Sequence, residues 1–326
     1  RNLQYYIQQG LVLKQIHRVL EFHQERWLQG YILMCTMNRK NAKSQFEMDM
    51  WKLCANAVYG KSMQNQRKQM NVRLIADPPK LRKAVSKPHL KSTKIINDEL
   101  VMVHGGRRCV LLNKPIYVGF AILEVSKLIM YKFHYDFIVP KYGSSARLCF
   151  TDTDSLTYLI QTNDLYADMG AHSDLFDMSN FDQSHPQYSD ENRKVVGKMK
   201  SETGSCAPKE FVGLRSKMYS LYIGEGEQPK MTAKGIKKSY VKKNVKHEQF
   251  LHALRSKVCT RATFCNIRST NHTLQTLEMT KVCLNAYDDK RYILSDGIHT
   301  LAYGHYKIRS HLQQDTVPVA YSSACT

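Results

Sequence analysis

Hydrophobic positions along the chain change their period several times, and each change predicts an element. Leu3, Ile7 and Leu11, then Ile16 and Leu20, recur at helical spacing, interrupted near Gly10 and Gly30. Phe46, Met50, Leu53 and Ala57 line up as an apolar stripe, which predicts one long helix over 41–64. Short strand-like runs follow within 66–112, among them 100–103 and 109–112, with Gly105-Gly106 as the expected hairpin turn. The Pro-, Lys- and Ser-rich stretch 78–94 reads as an exposed loop. Helical spacing resumes over 116–135, after Asn113-Lys114-Pro115. Leu148 and Phe150, then Leu156 and Tyr158, predict two short strands meeting near residues 152–154. Further strands are expected at 211–214 and 219–223, followed by a turn-rich linker at 224–230 and then by short alternating helices and strands. Helices mixed with short, turn-linked strands imply an α+β fold.

Composition narrows the partners. Forty-eight basic residues against 28 acidic ones give a formal charge of +20, which suits a polyanion, because each phosphate neutralised by Lys or Arg releases a counterion. The distribution says more than the total. Residues 151–192 contain nine acidic side chains and no Lys or Arg, so an acidic island interrupts an otherwise basic chain. Much of 164–191 reads as a solvated acidic loop. A length of 326 residues and a hydrophobic content of 43% allow a sizeable core and about two domains. No run of about 18 apolar residues occurs, so no membrane span is expected, and no signal peptide is read. Nine cysteines without C-x-x-C spacing point to reduced thiols in an intracellular compartment rather than to disulfides or zinc, and the 13 histidines lack paired metal-ligand spacing. The chain starts at Arg1 and reads as a fragment or a processed product.

Two constellations carry chemistry. The first is Phe150-Thr-Asp152-Thr-Asp154-Ser155-Leu156. On a strand, residues i and i+2 point to one face, so Asp152 and Asp154 would converge. Mg²⁺ prefers carboxylate oxygens and is usually held by one or two of them plus substrate phosphates. A solvated turn with two aspartates is the plain alternative. The second constellation is Lys52, Asn56, Tyr59 and Gly60, at i, i+4, i+7 and i+8. With about 3.6 residues per turn these share one helix face, presenting an ammonium, an amide, a ring and bare backbone. Such a lysine can hold a triphosphate tail or protonate a leaving pyrophosphate. Arg39, Lys40 and Lys43 lie near the start of the same expected helix. At about 100° per residue, Lys43 falls opposite Lys52, and joins its site only if the helix bends or starts later. An ordinary amphipathic helix with a solvated lysine is the plain alternative here.

Together these segments resemble family B DNA polymerases, most closely the protein-primed branch encoded by viruses, linear plasmids and Maverick/Polinton-type mobile elements. Lys52-Leu-Cys-Ala-Asn56-Ala57-Val-Tyr59-Gly60 is similar to the fingers motif K-x-x-x-N-S-x-Y-G, and Asp152-Thr-Asp154-Ser155 to the palm motif D-T-D-S. Lys217-Met-Tyr219 is similar to the K-x-Y motif that holds the primer strand, and Thr232-Ala-Lys234-Gly235-Ile-Lys237-Lys238 to the palm–thumb junction. Order and spacing agree over roughly residues 30–250.

The resemblance implies template-directed DNA synthesis: in-line attack of a primer 3′-hydroxyl on the α-phosphate of a dNTP, assisted by two Mg²⁺ ions. Asp154 would be the direct metal ligand and Asp152 its support. Lys52 would bind the nucleotide phosphates and serve as general acid, with Lys40 as a secondary phosphate contact. Asn56, Tyr59 and Gly60 would line the nucleotide pocket. Lys217, Tyr219, Lys234, Lys237 and Lys238 would contact DNA. The implied partners are template-primer DNA, dNTP and a terminal priming protein, with no membrane.

Two departures qualify the resemblance. Ala57 stands where the family has Ser. The family's other catalytic aspartate, from D-x-x-S-L-Y-P, is not found in residues 1–51, nor are the exonuclease acids. The expectation is a C-terminal polymerase fragment, catalytically incomplete by itself. The implied fold is an α+β polymerase right hand, in which 1–27 would end a preceding palm or insertion region, 28–63 form helical fingers, 64–228 a palm with an antiparallel sheet, and 229–326 a mixed thumb and tail. Residues 66–112 sit where protein-primed members carry a DNA-encircling insertion, and a plain surface β-loop fits them equally. The alternative function is a non-catalytic nucleic-acid-binding remnant of a mobile element. A reverse transcriptase fits less well, because its tandem-Asp motif does not match Asp-Thr-Asp.

Overall fold

The computed structural model describes residues 1–224, 226–270, 272–287, 291–295, 300–302 and 304–309. The end of the expected thumb, 310–326, lies outside them. The chain is mixed α+β and divides into two compact units, Arg1–Ser201 and Glu202–Thr326.

In the first unit a short helix α1 (Asn2–Gln8) is followed, after an irregular segment, by α2 (Gln29–Asn41) and α3 (Gln45–Ser62). The helical spacing of Ile16 and Leu20 yields no helix, and Leu11, Val12, Val19 and Leu20 are all exposed. Two apolar positions one turn apart do not sustain a helix that buries no face. The expected single helix over 41–64 is also corrected. α3 starts at Gln45 because Ser44 caps it, its hydroxyl accepting from the Glu47 amide at 3.2 Å, while the Glu47 carboxylate accepts from the Lys43 amide at 2.9 Å. The Tyr31 hydroxyl donates to the Cys54 carbonyl at 3.2 Å and ties α2 to α3.

Beyond α3, strand β1 (Asn71–Ile75), helix α4 (Pro78–Val85) and the hairpin β2 (Leu90–Asn97)–β3 (Leu100–Gly105) form a small antiparallel module with strand order β1-β3-β2. Much of the stretch read as loop is therefore ordered. Pro78 and Pro79 occupy the first helical turn, where a missing N–H costs nothing, and so start α4. The hairpin turn falls at Asp98-Glu99 rather than at Gly105-Gly106, and 109–112 is irregular.

Helix α5 (Ile116–Lys132) is the spine of this unit. Its buried Gly119 lies against the end of α3, so closely that a Cβ there would stand 2.3 Å from Met63 and 2.7 Å from the Ser62 hydroxyl. The Tyr5 hydroxyl anchors α1 by donating to Asp136 at 2.8 Å; burial, and then this carboxylate, push that phenol up to about 12. α5 widens into a π-type turn (Phe133–Ile138), continues as α6 (Val139–Tyr142), and leads to the antiparallel hairpin β4 (Ala146–Thr151)–β5 (Leu156–Ile160).

The acidic stretch that follows is folded, which corrects the solvated-loop reading. Helix α7 (Leu165–Gly170) and the parallel pair β6 (Phe176–Asp177) and β7 (Met199–Lys200) enclose Met169, Phe176, Met178 and Phe181, packed on Phe133 and Phe137. Its acids are put to structural use. Asp164 caps α7 through the Tyr166 and Ala167 amides. Asp168 accepts from Thr162 and Tyr142 and pairs with Lys141 at 3.0 Å, and these contacts hold its carboxyl below the usual range.

The second unit holds a three-stranded antiparallel sheet, β8 (Glu210–Arg215), β9 (Met218–Tyr222) and β10 (Lys230–Ala233), in the order β10-β9-β8. Helices α8 (Lys238–Asn244) and α9 (His247–Ser256) follow, then the hairpins β11 (Arg261–Thr270)–β12 (Thr273–Val282) and β13 (Arg291–Ile293)–β14 (Thr300–Ala302). Val212, Met218, Val241, Phe250, Phe264 and Leu284 fill its core. Buried His247 joins helix to sheet, sharing hydrogen bonds with the Ser220 hydroxyl at 2.8 Å and with Glu210 at 3.2 Å. No helix among the described residues is long and apolar enough to cross a membrane.

Candidate functional site

The acid pair lies in the turn between β4 and β5, not on a strand, so strand alternation does not set its geometry. The turn is built by backbone: the Asp154 and Ser155 amides donate to the Asp152 carbonyl at 2.7 and 3.3 Å, and the Asp152 amide donates to the Ser155 carbonyl at 3.1 Å. Thr153, between the acids, has φ of +62°. A β-branched residue rarely adopts that left-handed backbone, and such strain gathers at functional sites. The Thr153 hydroxyl donates to the Asp152 carboxylate at 3.3 Å, whereas the exposed Asp154 carboxylate accepts no hydrogen bond and meets no cation among the described residues. Two carboxylates in one turn, Asp154 exposed and Asp152 half-buried, offer hard-oxygen donors of the kind Mg²⁺ takes. Among the described residues no three or more His, Cys, Asp or Glu side chains gather as a metal site.

Lys52, Asn56, Tyr59 and Gly60 lie on α3 and are all exposed. The Lys52 ammonium makes no hydrogen bond or ion pair with described residues, so this face presents an unneutralised cation. Arg39 and Lys40, placed above near the start of the same helix, instead close the preceding one. They form the last turn of α2, and Lys43 lies in the link to α3. The late start of α3 removes Lys43 from that helix altogether. The α3 face and the acid turn belong to one framework: α3 packs on α5 at Gly119, and α5 runs on to His134, whose ring shares a 2.9 Å hydrogen bond with Tyr158 on β5.

A cation cluster missing from the sequence reading surrounds the end of α2. The Lys194 ammonium donates to the Arg39 carbonyl at 3.1 Å and lies 3.7 Å from the Met48 sulfur. Burial lowers the pKa of this ammonium, and the charges of Arg193, Arg39, Lys200 and Lys40 lower it further. The Arg39 Nε is buried without a hydrogen-bond partner. A buried guanidinium nitrogen without a partner, close to an ammonium crowded by like charges, favours a bound anion. The one sequence signal for Arg193 and Lys194 was that they are the first cations after the acidic island.

In the second unit the structure brings Lys217, Tyr219 and Lys234 together. Lys217 sits in the β8–β9 turn at φ +59°, Tyr219 on β9 pairs with Thr232 of β10, and the Lys234 amide donates to the Lys217 carbonyl at 3.1 Å. Lys234, Lys237 and Lys238 are exposed, but the Lys237 ammonium is committed to the Cys265 carbonyl at 3.0 Å. A further basic surface lies on the β1–α4 module, where Arg73, Lys80, Lys83 and Lys87 line an open groove of about 800 Å³ with Asp77 as its one acid.

No protein-family model, curated protein or solved structure matches this chain.

Proposed function

We propose that this chain is the phosphate- and DNA-handling part of a family B-type DNA polymerase, with its elements arranged as fingers, palm and thumb. The observation that carries the reading is the α3 face. Four residues of one motif stand exposed in register, and Lys52 has no partner among the described residues. In this reading Lys52, with Arg39 and Lys40, takes the triphosphate of a dNTP, while Asn56, Tyr59 and Gly60 receive its sugar and base. Lys52 then neutralises charge developing on the leaving pyrophosphate and donates a proton to it. Asp154, with Asp152 behind it, would hold Mg²⁺, which when bound neutralises phosphate charge and polarises the reacting phosphoryl group. Lys217, Tyr219, Lys234 and Lys238 bind the primer strand, and the Arg73–Lys87 groove takes the backbone of the surrounding duplex. A terminal priming protein is the further partner this reading implies.

Two carboxylates without a facing third hold Mg²⁺ weakly, so the chain alone is proposed to bind dNTP and template-primer with little turnover. Fluorescence titration with dNTP, with and without Mg²⁺, paired with a primer-extension assay, tests this. Mg²⁺-dependent dNTP binding supports the reading, and efficient extension by the chain alone overturns the incompleteness. DNA binding with no response to dNTP favours the non-catalytic remnant instead.

A further inference from the structure

Lys194 lies 155 residues from its partner Arg39 in sequence and is anchored at both ends. Its backbone sits at φ +59°, and its amide donates to the buried Asp177 carboxylate at 3.0 Å. Asp177 also accepts from the Ser179 amide at 3.1 Å and from the Lys200 ammonium at 3.2 Å. Two residues earlier, the Asn192 side-chain Nδ2 donates to the Ser173 and Phe176 carbonyls at 2.8 and 3.0 Å. This loop is thus strapped to the aromatic core of the acidic stretch. From it the Lys194 side chain crosses to one of the last carbonyls of α2, which have no partner within the helix. A cation there caps the helix and complements its dipole.

We propose that Lys194 is a positioning residue: held by Asp177, it clamps the last turn of α2 and so fixes Arg39 and Lys40 for a polyphosphate ligand. This rests on the phosphate-binding reading of α2 and α3. Without the clamp the last turn of α2 frays, and the Arg39 Nε loses its buried placement. A plain alternative is that Lys194 adds only positive charge. Arg193 separates the two, because it belongs to the same cluster but pairs outward with Asp190 at 3.5 Å and touches no part of α2 in any described hydrogen bond.

The chain's two tryptophans, Trp27 and Trp51, lie just before α2 and on α3, so intrinsic fluorescence reports on this region. Titration with inorganic tripolyphosphate is expected to show Lys194→Met weakening binding about tenfold, the scale of one charge-assisted contact. Arg193→Gln should weaken it less than about threefold, and Lys194→Arg should restore most of the affinity. Asp177→Asn removes a negative charge yet should also weaken binding, because it frees the loop. Hydrogen exchange of the amides of 36–41 should speed up in Lys194→Met and not in Arg193→Gln, which reads the clamp even if Asp177→Asn fails to fold. Equal losses in Lys194→Met and Arg193→Gln, or unchanged exchange, overturn the clamp. A wild-type chain that ignores tripolyphosphate overturns the phosphate-site reading itself, and hydrogen exchange then decides whether Lys194 caps α2.

Discussion

Asp177 shows how a single side chain sets the behaviour of a larger region. Burial by itself would raise its pKa, but hydrogen bonds from Ser179, from the Lys194 and Ser179 amides and from Lys200 outweigh that and hold the carboxyl below its ordinary value. Below the unfolded carboxylate value of about 4, the unfolded chain binds a proton that the folded chain does not. The stability from Asp177 is therefore fully present above about pH 4 and is lost as pH falls through the lower folded value. Asp177→Asn should remove this part of the acid transition, which urea melts between pH 5 and 2 would show. Helical phase correctly placed Lys52, Asn56, Tyr59 and Gly60 on one helix, whereas the i, i+2 spacing of Asp152 and Asp154 suggested a strand where the backbone makes a turn. The Lys194–Arg39 contact was not legible, because hydrogen bonds across 155 residues leave no mark in either local pattern.

Among the elements, α3 matters most, since it carries the face proposed to bind a nucleotide. Its first turn depends on Ser44, and Ser44→Ala should cost about 1 kcal/mol in chemical denaturation. Its far end depends on the absence of a side chain at Gly119. Gly119→Ala puts a methyl group within 2.7 Å of both Ser62 and Met63 and should cost about 1–3 kcal/mol, unless the Met63 side chain swings clear. Clear patterns were read well here, as with α5, β8 and β9, and with α3 apart from its start. The errors have physical causes. Pro78-Pro79 suggested a loop where it starts a helix, and Ile16 and Leu20 suggested a helix where no surface buries them. The folded acidic stretch has no clear sequence signature because its core residues, Met169, Phe176, Met178 and Phe181, sustain neither period beyond a single pair.

For the whole molecule, the excess of cations predicts binding to nucleic acid that weakens steeply with salt. Replacing Lys234 or Lys238 by Gln should lower the slope of log affinity against log salt by about one phosphate contact each. Lys237→Gln should change that slope little and stability more, because its ammonium already serves the Cys265 carbonyl. Filter binding or fluorescence anisotropy over a salt series distinguishes these outcomes. The α+β class was readable from the sequence, whereas the division at 201/202 had no compositional marker.

The central proposal is that the Asp152–Asp154 turn and the Lys52 face serve one nucleotide. A dATP carrying a lysine-reactive acyl group on its γ-phosphate tests it most directly, by peptide mapping of the labelled chain. Labelling at Lys52 should require Mg²⁺, be competed by unmodified dATP, and fall about tenfold in Asp154→Asn. Labelling of Lys52 that ignores both Mg²⁺ and Asp154→Asn, or its absence while distant lysines are modified, would contradict it.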